Sequence, residues 1–396
     1  MARKVKKKKL KLKKTAFAVI SIIFGLTFLS LGYFWNDIFI KIEEKKFYDD
    51  IPYPKVEESE ISLIMVGDSL IHEPIYLDAK TSTGYDFSYI YENVKSVFET
   101  SELKFYNQES ILGGKELGLS TYPQFNSPYE SGDPYVAMGF NLVSLANNHT
   151  LDRGYGTKYK TIENSRSYWD KQENVIATGS FATQEQRDEV VIKEINGIRY
   201  GLLAYTTETN GLVAPKGKEF YMNVYDAAQA KKDIEKIRNK VDLLMVSMHW
   251  GVEYSHSISA EQKQIAKYLS DLGVDVVIGH HPHVIEPIEF IGNTMVVYSL
   301  GNFISSQIGV ERLTGLIAKI KITKTKIDDK IYMKLSNPQA DLVYTCKAKI
   351  CGHYKIYRYD QLTDKILPNS NTYYKKFMKI VRSLNENIET IYTKES

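Results

Sequence analysis

Five short apolar runs in this chain break off at the same kinds of polar residue. Glu60 to Val66 runs into Gly67-Asp68, and Leu103 to Tyr106 into Asn107-Gln108-Glu109. Leu142 to Leu145 runs into Ala146-Asn147-Asn148-His149, Leu243 to Ser247 into Met248-His249, and Val274 to Ile278 into Gly279. Short apolar runs bounded by turn residues read as strands, and the stretches between them have helical periodicity. Such alternation predicts an α/β fold, which places its ligands at the C-terminal ends of its strands. The polar residues sit at those ends.

Helices are expected from Phe87 to Phe98, Pro134 to Gly139, Gly156 to Lys171, Tyr225 to Asn239 and Glu261 to Leu272, with a last one near Tyr374 to Asn385. Asn196-Gly197 joins Val190–Ile195 to Arg199–Ala204 as a hairpin, and Gly292-Asn293 joins Val284–Phe290 to Thr294–Ser299. Residues 110–132, rich in Gly, Ser, Pro and Tyr, read as a long loop rimming a site.

Asp, Asn and His at strand ends form the donor set of a two-metal hydrolytic site, and core packing has no use for them. Asp68 emerges from a buried strand as a candidate ligand, although an Asp after Gly also suits a turn. His72, four residues on, shares that region where a turn or helix begins. Glu109 can bridge two cations about 4 Å apart. Asn148 offers an amide oxygen while His149 faces the substrate, and Asp152 can orient the His149 ring. His249 ends a strand, with Glu253 as its support. His281 and His283 flank Pro282 in what reads as an extended segment, which sends both rings to one side. His280 is expected to face away and pack, and His256 and His353 to lie on the surface.

The net charge of +3 hides an asymmetry. Residues 1–14 carry nine basic side chains, Arg3 and eight lysines, and no acid. The other 382 residues hold 42 basic against 48 acidic side chains, a balance of −6, so no nucleic-acid partner is indicated. Thr15 to Trp35 follows without a charge, long enough at about 1.5 Å per residue to cross a bilayer core of roughly 30 Å. Residues 15–36 therefore read as a single membrane-spanning helix, with residues 1–14 held in the cytoplasm by the positive-inside rule. Residues 37–58 read as a stalk, and the main domain lies outside the cell membrane. A cleaved signal peptide would be shorter and would end in small residues, whereas this run ends Gly-Tyr-Phe-Trp-Asn-Asp. Cys346 and Cys351 are the only cysteines. They form either a small disulfide or two thiols near a hairpin.

These motifs carry a family resemblance. The chain resembles the CapA-type poly-γ-glutamate capsule biosynthesis family, whose domain is similar to the calcineurin-type metallophosphatase fold. The matching segments are Val-Gly-Asp (66–68), Asn-Gln-Glu (107–109), Gly-Phe-Asn-Leu-Val-Ser-Leu-Ala-Asn-Asn-His-Thr-Leu-Asp-Arg-Gly (139–154), His-Trp-Gly-Val-Glu-Tyr (249–254), Gly-His-His-Pro-His-Val (279–284) and Tyr-Ser-Leu-Gly-Asn-Phe (298–303). The resemblance implies a sandwich of two sheets flanked by helices over residues 59–325, with 326–396 a hairpin and helix extension packed on it.

It also implies a role in making, exporting or anchoring γ-linked glutamate polymer at a bacterial surface. The implied partners are polyglutamate synthase membrane subunits, and the implied substrate is a polyanionic polymer or phosphoester. By analogy, Asp68, His72 and His283 would bind one divalent ion and Asn148, His249 and His281 the other, with Glu109 between them. Manganese, iron, zinc and magnesium are not distinguished. His149, oriented by Asp152, would protonate the leaving group, and Asn107, Glu253 and Asn302 would support the ligands. Three residues separate Asp68 from His72 where metallophosphatases place one, and those enzymes have Asp where Glu109 stands. The family usually has Leu at position 108 and often Gln at 286. A metal-dependent hydrolase or transferase is one function this allows. A non-catalytic component of the synthesis and export machinery is a second, and an envelope metallophosphoesterase unrelated to polyglutamate a third.

Overall fold

Each of the five apolar runs forms a strand in parallel pairing. They belong to a computed structural model that describes residues 55–392. In chain order the strands are β1 (Val56–Ser69), β2 (Leu103–Gln108), β3 (Leu142–Ser144), β4 (Ile176–Thr178), β5 (Lys193–Ile195), β6 (Ile198–Thr206), β7 (Leu243–His249) and β8 (Val276–His280). There follow β9 (Ile288–Ile291), β10 (Thr294–Val297), β11 (Asn302–Ile304), β12 (Thr314–Ile327), β13 (Lys330–Cys346), β14 (Lys355–Arg358) and β15 (Glu389–Thr390). One sheet runs β14-β13-β12-β1-β2-β3-β4, with β11 on β1 and β15 on β13; the other runs β5-β6-β7-β8-β10-β9. Residues 57–326 and 331–392 form one compact unit, and residues 55–56 and 327–330 group apart from it.

Alternation along the strands divides the apolar residues between layers. Ile61, Leu63 and Met65 of β1 join Phe105, Leu142, Leu243, Met245, Val276 and Ile278 in one core between the sheets. Their neighbours Ile64, Val66, Tyr106 and Val143 face the other way, onto Phe87, Tyr91, Tyr135 and Trp169. The last belongs to helix α1 (Lys160–Trp169). On the second sheet, Leu244, Val246 and Val277 pack on helices α2 (Ala227–Ile237) and α3 (Ala260–Asp271) through Ile234, Ile265 and Leu269. Both faces of the strands are covered, so they read as apolar runs rather than alternating ones. The result is a mixed α/β fold of two sheets with helices outside them. The C-terminal segment adds β13 to β15 to the edge of the first sheet, and helix α4 (Ser370–Val381) sends Phe377, Met378 and Val381 into the core between the sheets.

The core face turns polar at the strand ends, and a bulge completes that face. β1 and β2 pair Met65 with Phe105 and then Asp68 with Asn107, so β1 fits one extra residue into the interval. Simple alternation from Met65 would leave Asp68 on the outer, helix-covered face. The extra residue turns it inward. Gly67 makes the bulge possible, because a Cβ there would lie 1.8 Å from the Gly301 carbonyl oxygen. Gly279 is equally constrained before His280, with a virtual Cβ 2.0 Å from the Tyr298 carbonyl oxygen.

Two expectations are corrected. Residues from Phe87 to Phe98 form no continuous helix, only a 3-10 turn at Ser88–Ile90 and a short helix at Lys95–Phe98. The Asn93 carbonyl accepts from Gln361 and its amide donates to the Ile356 carbonyl, which ties that turn to the C-terminal segment. Helix α1 starts at Lys160 rather than Gly156, after two left-handed residues, Lys158 and Tyr159. The hairpin at Asn196-Gly197 has the two positive φ values that its turn requires, 49° and 76°. Cys346 and Cys351 form a disulfide joining the end of β13 to the helical turn after it. Among the described residues no helix is long and apolar enough to cross a membrane. The basic tail, the apolar run 15–36 and all but the end of the 37–58 stalk lie outside the described residues.

Candidate metal centre

Parallel pairing sets the site residues in rows. On the first sheet Asn302, Asp68 and Asn107 are neighbours across β11, β1 and β2. On the second, Thr206, His249 and His280 are neighbours across β6, β7 and β8. Asp68, Glu109, His249 and His280 are fully buried. Asp68 Oδ1 accepts from Asn107 Nδ2 at 2.8 Å. His283 Nδ1 donates to Asn302 Oδ1 at 3.0 Å and lies 3.4 Å from Asp68 Oδ2, which leaves Nε2 with its lone pair when the ring is neutral. Glu109 Oε1 sits 3.7 Å from His283 Nε2 and 3.9 Å from His249 Nε2, between the two imidazoles. His249 Nε2 also lies 3.0 Å from Asn148 Oδ1.

Two compact donor groups result. Asp68, Glu109 and His283 place ligand atoms within 4.8 Å of one another, and so do Asp68, His249 and His280. Several of these atoms are buried without a hydrogen-bond partner: Asp68 Oδ2, both Glu109 oxygens and His281 Nδ1. Orphaned buried acceptors are costly unless something else binds them, and carboxylates with imidazoles suit a divalent cation. Burial and the Asp68 charge hold the Glu109 carboxyl well above its ordinary pKa. Burial also raises Asp68, but His283, His280 and Asn107 outweigh it and leave that carboxyl below its ordinary value. Burial lowers His283, yet Glu109 and Asp68 bring it to about 9. Burial and the other histidines keep His249 far below its usual range.

His280 corrects the sequence reading. It packs, but its ring is turned toward the site rather than away. Its Nδ1 lies 2.7 Å from His249 Nδ1 and its Nε2 2.6 Å from Ser247 Oγ. With a proton on His280 Nε2, its Nδ1 accepts from His249, and His249 Nε2 keeps its lone pair for a cation. The opposite arrangement spends that lone pair's position on a proton aimed at Asn148.

The His281-Pro-His283 segment is also not extended. His281 and His283 have φ values of 105° and 58°, and their ring centroids are 6.1 Å apart. Two left-handed residues, not strand alternation, bring the rings to one region, at the conformational cost that such residues carry. The His281 ring lies 4.5 Å from the His249 ring, tilted by 55° to it. His72 stands outside both donor groups. Its Nδ1 is turned back to the Leu70 carbonyl at 3.0 Å, and burial lowers its pKa to about 4. Glu253 is exposed and hydrogen-bonds Tyr254, and its charge reaches His283 and Glu109. His353 is exposed, whereas His256 is half-buried and bonds the Ile285 carbonyl.

His149 is held from several sides. Its Nδ1 lies 2.7 Å from Asp152 Oδ2, which also accepts from the Phe125 backbone at 2.6 Å. The Phe125 ring meets His149 edge-on at 4.7 Å and His72 at 5.2 Å. Phe125 is thus the point where the long 110–132 loop touches the site, a contact no spacing announces.

Glu286 is a fully buried acid outside the donor set. Gln262, the N3 residue of the α3 capping box, donates to Glu286 Oε2 at 2.6 Å, and Oε1 has no partner. Burial raises the Glu286 pKa to about 8. Because the folded value exceeds the unfolded one, wild-type stability is expected to fall between about pH 4.5 and pH 8. Glu286→Gln lacks this loss, so its advantage should grow across that window to at most about 5 kcal/mol. Urea unfolding at several pH values checks it, and a pH-independent difference would remove the assignment.

Comparison with known proteins agrees with these features. The model of the bacterial capsule synthesis protein PGA_cap family matches residues 62–307. The "PGA biosynthesis protein CapA" of Bacillus subtilis is 28% identical over 76% of this chain and 75% of its own length. The "Capsule biosynthesis protein CapA" of Bacillus anthracis is 26% identical over 65% of this chain and 62% of its own. A "probable polyglutamine synthesis accessory protein" of Mycobacterium tuberculosis is 32% identical over 49% of this chain and 53% of its own. The chain belongs to the PGA_cap family of bacterial capsule synthesis proteins.

Proposed function

We propose that this member of the capsule synthesis family is an envelope protein whose inter-sheet cleft holds two divalent cations and cleaves or transfers a bond in an anionic polymer. Glu109 carries the reading: a fully buried carboxylate with both oxygens unpartnered, lying between His249 and His283. Asp68 and His283 would hold one cation, and Asn148, His249 and His281 the other, with Glu109 within reach of both; His72, which the resemblance adds to the first set, lies outside the donor groups. Cations bound there polarise the scissile group and neutralise the charge that develops on it. The chain's own contributions are positional. Asn107 and Asn302 fix Asp68 and His283, His280 fixes the His249 tautomer, and Asp152 holds His149 to deliver a proton to the leaving group. The polymer assigned is γ-linked polyglutamate, as the family resemblance implies; the relatives' names speak of PGA, capsule and polyglutamine synthesis. The run 15–36 is assigned as the anchor that keeps the domain outside the membrane.

The test is metal analysis of the full-length protein, with a generic phosphodiester assay in added manganese. About two metals per chain and a turnover abolished by chelator are expected. Less than one metal per chain, with no turnover, would sink the proposal. The second reading, a non-catalytic accessory component, is favoured by the name of the mycobacterial relative. Metal binding without turnover, together with an intact capsule in a His149→Ala strain, would establish it. Protease added to protoplasts should digest the domain; a protected domain would overturn the anchor's orientation.

A further inference from the structure

Two cations beside the cleft belong to no donor group and pair with no acid. Arg312 follows β11 in the helical turn Val310–Leu313. Its guanidinium stacks 4.7 Å over the Tyr254 ring, and that ring faces His283 at 6.0 Å. The Arg312 carbonyl accepts from Asn302 Nδ2 at 2.9 Å, and Asn302 is the residue that positions His283. Lys347 follows Cys346 at the end of β13. Its Nζ donates to the Ser306 carbonyl at 2.9 Å, and the Ser306 N–H lies 3.3 Å from His72 Nδ1. One cation is therefore tied to His283 and the other to His72, on the same side of the cleft.

Both side chains are half-buried, and among the described residues neither forms an ion pair. Other partly buried cations here do: Arg187 meets Asp233 at 2.5 Å, Arg238 meets Asp275 at 2.6 Å, and Lys324 meets Asp242 at 2.8 Å. The Tyr254 hydroxyl meets both Glu253 and Arg312. Burial and the Arg312 charge both hold Lys347 below its ordinary pKa, so the two cations feel each other. Half-buried like charges without a counter-ion are unfavourable in the free protein and favourable once an anion spans them.

We infer that Arg312 and Lys347 form an anion subsite that takes a carboxylate or phosphate group of the substrate beside the reacting bond. The inference deepens the proposed function and rests on the cleft being the reacting site. A polymer with an acidic group on every unit fits it, because one unit reacts while its neighbour is held.

Isothermal titration of the full-length protein with inorganic phosphate and with tri-γ-glutamate tests it, each with and without manganese. Arg312→Gln and Lys347→Gln should each weaken binding about tenfold, the worth of one charge-assisted hydrogen bond, and the double variant more. Metal content should match wild type, and Arg312→Lys should regain part of the affinity. The tighter of the two ligands identifies the source of the anion. Should Arg312→Gln fail to fold, the half-exposed Lys347→Gln carries the test alone. Unchanged affinity in the double variant, or no binding by wild type at millimolar ligand, overturns the subsite. Anion binding that depends on these residues in a protein taking up no metal keeps the subsite and removes the metal centre. Metal uptake with anion binding indifferent to them does the reverse.

Discussion

Glu109→Gln is expected to shift the metal-free and metal-loaded proteins in opposite directions. Without a cation, Glu109 is a fully buried acid with two unpartnered oxygens, and burial and Asp68 both disfavour its charge. A neutral amide removes that charge but still leaves polar atoms to satisfy, so the metal-free variant should gain only about 1–2 kcal/mol. With cations present the balance reverses. A ligand held a thousandfold above its Kd stabilises the folded state by about 4 kcal/mol, and the variant, lacking the shared carboxylate, should forfeit most of this. Thermal unfolding across a manganese titration, with metal counted per chain, reads both effects. A variant that keeps the full manganese-induced rise would exclude Glu109 as a ligand. A wild type with no rise at all would make Glu109 a buried acid and nothing more.

How much of this was legible depends on what local pattern can encode. The strand ends were legible, because a strand covered on both faces needs an apolar run and a polar residue must mark where the cover stops. That logic located Asp68, Glu109, Asn148 and His249. Features set by another part of the chain were hidden. The inward turn of Asp68 needs a bulge, and the bulge depends on the approach of Gly301, more than two hundred residues away. The orientation of His280 is decided by Ser247 and His249 on the adjacent strand, since its own neighbours are equally consistent with a packed ring. His281 and His283 face one region for a reason the sequence pattern misstates, because positive φ at two non-glycine residues is not predicted by any propensity. The segment from Phe87 to Phe98 has helical spacing, yet Gln361 and Ile356 claim its polar groups. Phe125 lies in a loop without periodicity, so only the fold shows that it packs on His149 and His72.

His149→Ala should abolish nearly all turnover, a fall of about 10²- to 10⁴-fold for the loss of a general acid, while metal content stays at the wild-type level. The geometry separates these two properties. His149 belongs to neither donor group, and its Nδ1 is committed to Asp152 at 2.7 Å. Nε2 is then the atom left to carry a proton to a leaving group. Asp152→Asn should give a smaller loss, because an amide oxygen still accepts from Nδ1–H but no longer stabilises the imidazolium. The alkaline limb of its pH–rate profile, where a general acid loses its proton, should therefore move to lower pH, which a purely structural role for Asp152 would not cause. Phosphodiester turnover and capsule yield in cells that still make each variant are the two readouts. If His149→Ala lowers neither, the proton-donor role is wrong. If it abolishes the capsule while the protein is made, folded and metal-loaded, the cleft acts through chemistry at this imidazole, because no loss of scaffold or of metal remains to explain the result.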